Sequence, residues 1–164
     1  MALETTPKSI ASDGNLRVAF VPEGSDAKSV AILGGGTTKA LTYSLTPSGL
    51  NRTITENSVE DARLTLKTVL SRPGTSTQSL ELQYVFGDEG DVAKPALAEG
   101  TEGFIVIRYG IPNETDWTIG QEVDILPVLA GKQRKDAPTA NGVFTITQAF
   151  YVTGVPQDDV TLIA

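Results

Sequence analysis

Apolar and polar residues alternate with a period of two in several short stretches, the pattern of strands with one buried face. The cleanest is Leu80, Leu82, Tyr84 and Phe86 set against Glu81 and Gln83, interrupted by Gly87, Asp88, Glu89 and Gly90. Leu16, Val18 and Phe20 alternate with Arg17 and Ala19 until Pro22 and Gly24 end the run. Leu41, Tyr43 and Leu45 repeat the pattern up to a turn at Pro47, Ser48 and Gly49, with a return through residues 52–55. A weak strand is predicted over residues 30–33, closing at Gly34, Gly35 and Gly36, and another around Leu64 and Leu66, followed by a turn at Arg72, Pro73 and Gly74. Residues 58–61 read as an acidic loop.

Residues 104–109 are apolar apart from Arg108 and predict a central strand. Residues 123–129 are strongly β in character, with Pro127 requiring an edge, a bulge or a strand end. Residues 142–153, rich in Val, Phe, Ile, Thr and Tyr, form the longest β candidate, before an acidic turn at Asp158 and Asp159 and a tail over 160–164. The one helix expected lies within residues 91–99, either capped by Asp91 with Pro95 at an unfavourable interior position, or beginning near Pro95 as a first-turn residue. About seven or eight strands with a single short helix exclude a βαβ arrangement and predict a mainly β fold, an antiparallel sandwich or barrel. The segmentation expected is an N-terminal arm over 1–15, a β domain over 16–155 and a C-terminal tail over 156–164. No internal repeat is present.

The 164 residues suit one domain. The chain holds no cysteine and no histidine, which excludes disulfides, thiolate chemistry and imidazole acid–base catalysis. Thirteen basic against twenty acidic residues give a formal net charge of −7, which disfavours adhesion to nucleic acid. No leader-like apolar segment opens the chain and no apolar run approaches bilayer length, so assembly in the cytosol, or a route outward that needs no leader, is expected.

Candidate chemistry is sparse. Glu60 with Asp61, and Asp88 with Glu89 and Asp91, lack the spacing of a calcium loop and read as solvated turns. Glu81 and Asp124 could in principle form a carboxylate pair across a cleft. Gly34 to Lys39 is glycine-rich but departs from the phosphate-loop spacing and is followed by a β-like stretch. Lys132, Arg134 and Lys135 make a basic knot, suited to a solvated loop or to an ion-paired subunit contact. Trp117, alone in a polar connector, belongs either to a satellite core or to a surface buried on assembly. No cofactor or metal site emerges, and no enzyme is predicted.

Ordered motifs carry a resemblance. Residues 41–50 read Leu-Thr-Tyr-Ser-Leu-Thr-Pro-Ser-Gly-Leu, 59–66 Val-Glu-Asp-Ala-Arg-Leu-Thr-Leu, and 72–74 Arg-Pro-Gly. The series continues through residues 80–86, 96–104, 108–110, 120–128 and 131–136, and ends at 144–154 with Phe-Thr-Ile-Thr-Gln-Ala-Phe-Tyr-Val-Thr-Gly. In order and spacing, over about residues 38–155, it resembles the major tail (tail tube) proteins of long-tailed bacteriophages, especially those of actinobacterial hosts.

That resemblance implies a β-sandwich with one flanking helix, hexameric rings stacked into a hollow tube, and passage of genomic DNA through the lumen without specific binding. It implies tape-measure, baseplate or initiator and terminator proteins as partners, assembly in the host cytoplasm and residence in the virion tail. No catalytic residues carry over. Outward alternation on strands makes Glu81, Glu122 and Asp124 candidates for lumen-facing acids. Pro47, Asn51, Arg52, Glu60, Asp61 and Trp117 are candidates for contacts between subunits. Other β-rich virion components, such as a terminator, a baseplate-hub subunit or a capsid decoration protein, remain as alternatives.

Overall fold

The computed structural model describes residues 3–164; the first two residues of the expected arm lie outside the described residues. The elements in chain order are β1 (Leu16–Pro22), α1 (Val30–Leu33), β2 (Lys39–Ala40), β3 (Leu45–Asp61), β4 (Leu70–Val85), α2 (Ala93–Ala96), β5 (Glu102–Tyr109), β6 (Glu122–Lys135), β7 (Thr145–Val152) and β8 (Gln157–Thr161). The strands form one antiparallel sheet in the order β2-β1-β5-β6-β7-β4-β3, with β8 paired to the start of β6. The sheet curls until its inner face packs on itself, which gives the mainly β, barrel-like fold predicted.

Register shows how the alternation is used. Leu80 lies opposite Phe150, Leu82 opposite Gln148 and Tyr84 opposite Ile146. Together with Val18, Phe20, Ile105, Ile107, Leu126 and Val128 these residues make the main core on the inner face. Two polar groups are tolerated there because they satisfy each other. Buried Tyr84 donates its hydroxyl to Gln148 Oε1 (2.8 Å), and Gln148 Nε2 donates to the Leu97 and Gly131 carbonyls. Burial pushes the Tyr84 phenol up to about 12.

A second cluster lies on the outer face of β1, β5 and the start of β6. Ala19, Val21, Val106, Val123 and Ile125 are roofed there by Ala27, Leu33, Trp117 and Leu162. Both faces of β5 are therefore covered, which explains its apolar run over residues 104–107. Gly103 is required within it, since a Cβ would meet the Val21 carbonyl and the Phe20 ring.

Several local expectations are corrected. Residues 30–33 form a helical turn instead of a strand, so two four-residue helices stand where one was expected. Despite the β preference of Val and Ile, this turn places Leu33 over the outer cluster and is pinned by the Val30 N–H donating to the Ile163 carbonyl (2.9 Å). The expected turns at Pro47–Gly49 and Arg72–Gly74 lie inside β3 and β4, where the pairing register shifts and absorbs them as bulges. The loop expected over 58–61 is strand, and the strand expected around Leu64 and Leu66 is the turn joining β3 to β4. Residues 157–161, read as an acidic turn and tail, pair with β6 as β8.

The outer half of the β3–β4 hairpin stands free. Residues 53–60 and 62–77 are exposed throughout, with no element packed on them among the described residues. At about 3.4 Å per residue the ribbon projects on the order of 30 Å. Cross-strand hydroxyl pairs, Thr53 with Ser79 and Thr55 with Thr77, suit a solvated two-stranded ribbon.

Candidate functional site: assembly surfaces

Three surface features can do something beyond holding the fold, and none is a catalytic cleft. The first is the free ribbon. Its tip carries Leu64 at 95 % exposure, with Leu66, Val69 and Leu70 also exposed, flanked by Arg63 and Lys67. Thr65 at the tip has φ 64°, an uncommon conformation for a β-branched residue. Asp61 accepts a hydrogen bond from Arg63 (2.9 Å), whereas Glu60 is exposed on the ribbon edge. Exposed apolar side chains on an unsupported ribbon cannot be explained by folding of the monomer.

The second is the edge of the sheet. β3 is its terminal strand, so its outer row of N–H and C=O groups is unpaired among the described residues. Pro47 and Asn51 lie exposed along β3. Arg52, on the inner face, is turned into its own subunit. It binds Asp124 (3.1 Å) and Asp158 (2.8 Å), with Gln78 Oε1 accepting a third bond at 2.9 Å. Only 14 % of the Arg52 side chain is exposed.

The third is the outer face of β3, β4, β7 and the end of β6, which nothing roofs among the described residues. Glu81 stands there opposite Ala149 and Asn51, with Arg134 at 3.7 Å. Asp136 borders the same face and accepts from the Thr145 hydroxyl (2.7 Å), the Thr147 hydroxyl (2.9 Å) and Gln83 (3.0 Å). The Thr145 hydroxyl foremost, helped by Gln83 and Thr147, holds its carboxyl below the usual range against the opposing effect of burial.

The three acids singled out in the sequence do not share a face. Glu81 is on the outer face, while Asp124 and Glu122 are on the inner face of β6, Asp124 opposite Ile107 and Glu122 exposed at its start. Asp124 is engaged by Arg52 and by the Asp159 N–H (3.0 Å). The basic knot is likewise divided: Arg134 faces Glu81, and Lys135 lies over the Phe86 ring at 5.5 Å.

Trp117 is 6 % exposed and packs inside the subunit, with the guanidinium groups of the cross-strand pair Arg17 and Arg108 at 4.9 and 4.8 Å from its ring. Arg108, fully buried, has no carboxylate partner among the described residues. It donates instead to the carbonyls of Pro112, Thr115 and Asp116 and to Gln121 Oε1, at 2.8 to 3.2 Å. Burial, then the charge of Arg17, draws its pKa down from the ordinary guanidinium range. The sequence signal was visible as one cation in an apolar strand; its role as organiser of the following loop was not. Asp91 closes a turn by accepting from the Gly87 N–H, and the glycines after α1 donate to its last carbonyls, so neither is arranged as a ligand cradle.

Comparison with known proteins agrees with this geometry. The fold is similar to a chain in the cryo-EM structure of the anti-feeding prophage baseplate (TM-score 0.54, 13% identity, 94% of this chain and 96% of that one). It is also similar to the hybrid NMR and cryo-EM structure of the SPP1 tail tube (TM-score 0.55, 16% identity, 90% of this chain and 79% of that one). No curated protein matches the sequence at a significant level. The family described as phage tail tube protein matches residues 3–164. With its match spanning all the described residues, the chain belongs to the phage tail tube protein family, a structural component of the virion tail and not an enzyme.

Proposed function

We propose that this chain polymerises into hexameric rings that stack as the hollow tail tube through which genomic DNA leaves the capsid. The observation that carries the reading is the β3–β4 ribbon, about 30 Å of hairpin with no partner among the described residues and apolar residues at its tip. The ribbon serves as the ring-to-ring contact, and the open β3 edge pairs with a neighbouring subunit in the ring. Pro47, Asn51, Glu60 and Asp61 belong to these contacts by their exposure or their place on the ribbon; Arg52 and Trp117 act from within the subunit. Tape-measure, baseplate and terminator proteins are the expected partners, with assembly in the host cytoplasm.

The likeness to a baseplate chain favours one alternative, a tube-like hub subunit confined to the baseplate. Negative-stain electron microscopy of the purified chain, alone and with a pre-formed tail initiator complex, separates the two. Extended hollow tubes support the tube subunit. Isolated rings that never stack support the hub, and persistent monomers with the initiator present contradict both.

A further inference from the structure

Resting on the tube reading, we infer where the ribbon lands: its tip seats between Tyr43, Val85 and Val92, in the cleft at the foot of the same hairpin in the next copy of this chain. The cleft, of about 510 Å³, opens where β3 begins and β4 ends. The seventeen residues of β3 separate it from the tip, on the order of 50 Å within one subunit. A tip and a seat at opposite ends of one hairpin cannot meet within one subunit. They meet between copies stacked with one polarity, a head-to-tail contact that repeats without closing.

Both surfaces expose apolar side chains that the subunit does not bury. Tyr43 is 80 % exposed, and Val85 and Val92 stand partly in solvent on the same cleft. Asn113 Nδ2 donates to the Tyr43 hydroxyl at 2.8 Å, which holds the ring in place before any partner arrives. The tip brings Leu64, Leu66, Val69 and Leu70. A fixed exposed aromatic and a leucine-rich tip suit the dry centre of an interface.

Charge selects this occupant. From Asp61 to Arg72 the tip carries Arg63, Lys67 and Arg72 against Asp61 alone. The loop over residues 87–91, which gives Asp88 and Asp91 to the cleft, also carries Glu89 and holds no cation. Arg17 lines the cleft too, but its guanidinium is committed to the Thr115 carbonyl (2.7 Å) and the Trp117 ring. Lys94 and Lys135 are drawn over the adjacent Phe86 ring, at 5.0 and 5.5 Å. A basic tip therefore meets an acidic rim, whereas two tips or two rims repel, and stacking takes a single polarity. The N-terminal arm exposes Leu3 and Ile10 but fits worse, since over residues 3–15 Glu4 and Asp13 outnumber Lys8.

The chain has no native cysteine, so introduced thiols act alone. Tubes would be grown on the initiator complex from Thr68→Cys with Gly90→Cys, one thiol at the exposed tip and one at the cleft where an added Cβ meets nothing. A short bis-maleimide cannot join these two positions within a subunit. Tubes should therefore give a ladder of covalent multimers on a denaturing gel, while either single variant stops at dimers and dispersed subunits give no ladder. Double-variant tubes without a ladder overturn the seat. A ladder from Ser9→Cys with Gly90→Cys, and none from position 68, gives the cleft to the arm and overturns it as well.

Charge reversal reads the same contact without thiols. Arg63→Glu with Lys67→Glu should lower the mass of sedimented tubes at least about tenfold, as should Asp88→Lys with Glu89→Lys, and the four changes together should restore growth. Normal growth of either pair, or no recovery in the combined variant although it folds as the parent does, overturns the pairing. Failure of the unmodified chain to form tubes refutes the tube reading itself; parent tubes with neither ladder nor rescue refute the seat alone.

Discussion

Arg52 on β3 and Asp124 on β6 meet at 3.1 Å although β4 and β7 lie between their strands in the sheet. In a flat sheet the same positions would stand about 14 Å apart, three inter-strand spacings. The ion pair therefore measures the curl, and with Asp158 it closes the mouth of the half-barrel on the side where Tyr109 lies. Removing one partner strands a poorly solvated charge. Asp124→Asn is expected to cost about 2 kcal/mol in urea unfolding, less than a fully buried pair because Asp158 still reaches Arg52. An unchanged midpoint would show that the curl does not depend on this pair.

Arg108 is expected to be irreplaceable by lysine. Its planar fork reaches three carbonyls and Gln121 at once, which a single ammonium cannot reproduce. Arg108→Lys should lower stability by about 2–3 kcal/mol and loosen the loop over Trp117. Trp117 is the sole tryptophan, so its emission reports the change directly. A red shift and greater acrylamide quenching are predicted; an unaltered spectrum would mean that the indole is held without the guanidinium.

Asp136 should make stability depend on acid pH. Its folded pKa is depressed, chiefly by the Thr145 hydroxyl, so its contribution is fully present above the ordinary carboxylate range near about 4 and is lost as pH falls through the folded value. Against Asp136→Asn, the parent should hold an advantage at neutral pH that shrinks below about pH 4. A gap that is constant across that window would refute the assignment.

The ribbon tip should matter for assembly and not for folding. Leu64→Ser with Leu66→Ser removes exposed side chains (95 % and 47 %) that belong to neither core cluster, so unfolding should shift by less than about 0.5 kcal/mol. Tube formation, followed by sedimentation after addition of the initiator complex, should drop severely. Normal polymerisation of this variant would place the axial contact elsewhere.

Half of the sheet was legible in the sequence because one face is buried there. Leu80, Leu82 and Tyr84 alternate cleanly since every second residue enters the core, and residues 104–109 run apolar since both faces of β5 are covered. The ribbon was illegible for the opposite reason: with neither face buried it carries no period, and Pro73 and Gly74 read as a turn because an isolated pair of strands tolerates breakers that a central strand would not. The pairing of Arg52 with Asp124 depends on curl, which no local pattern encodes. Counting alternation as outward-facing grouped Glu81 with Asp124, although cross-strand register sets them on opposite faces.

The central claim is best tested by a cryo-EM reconstruction of filaments grown from the purified chain on an initiator complex. Six subunits per ring, a hollow lumen and ring-to-ring density at the β3–β4 ribbon are predicted. Solid filaments, a ring of different symmetry, or a ribbon left free in the assembled state would contradict it.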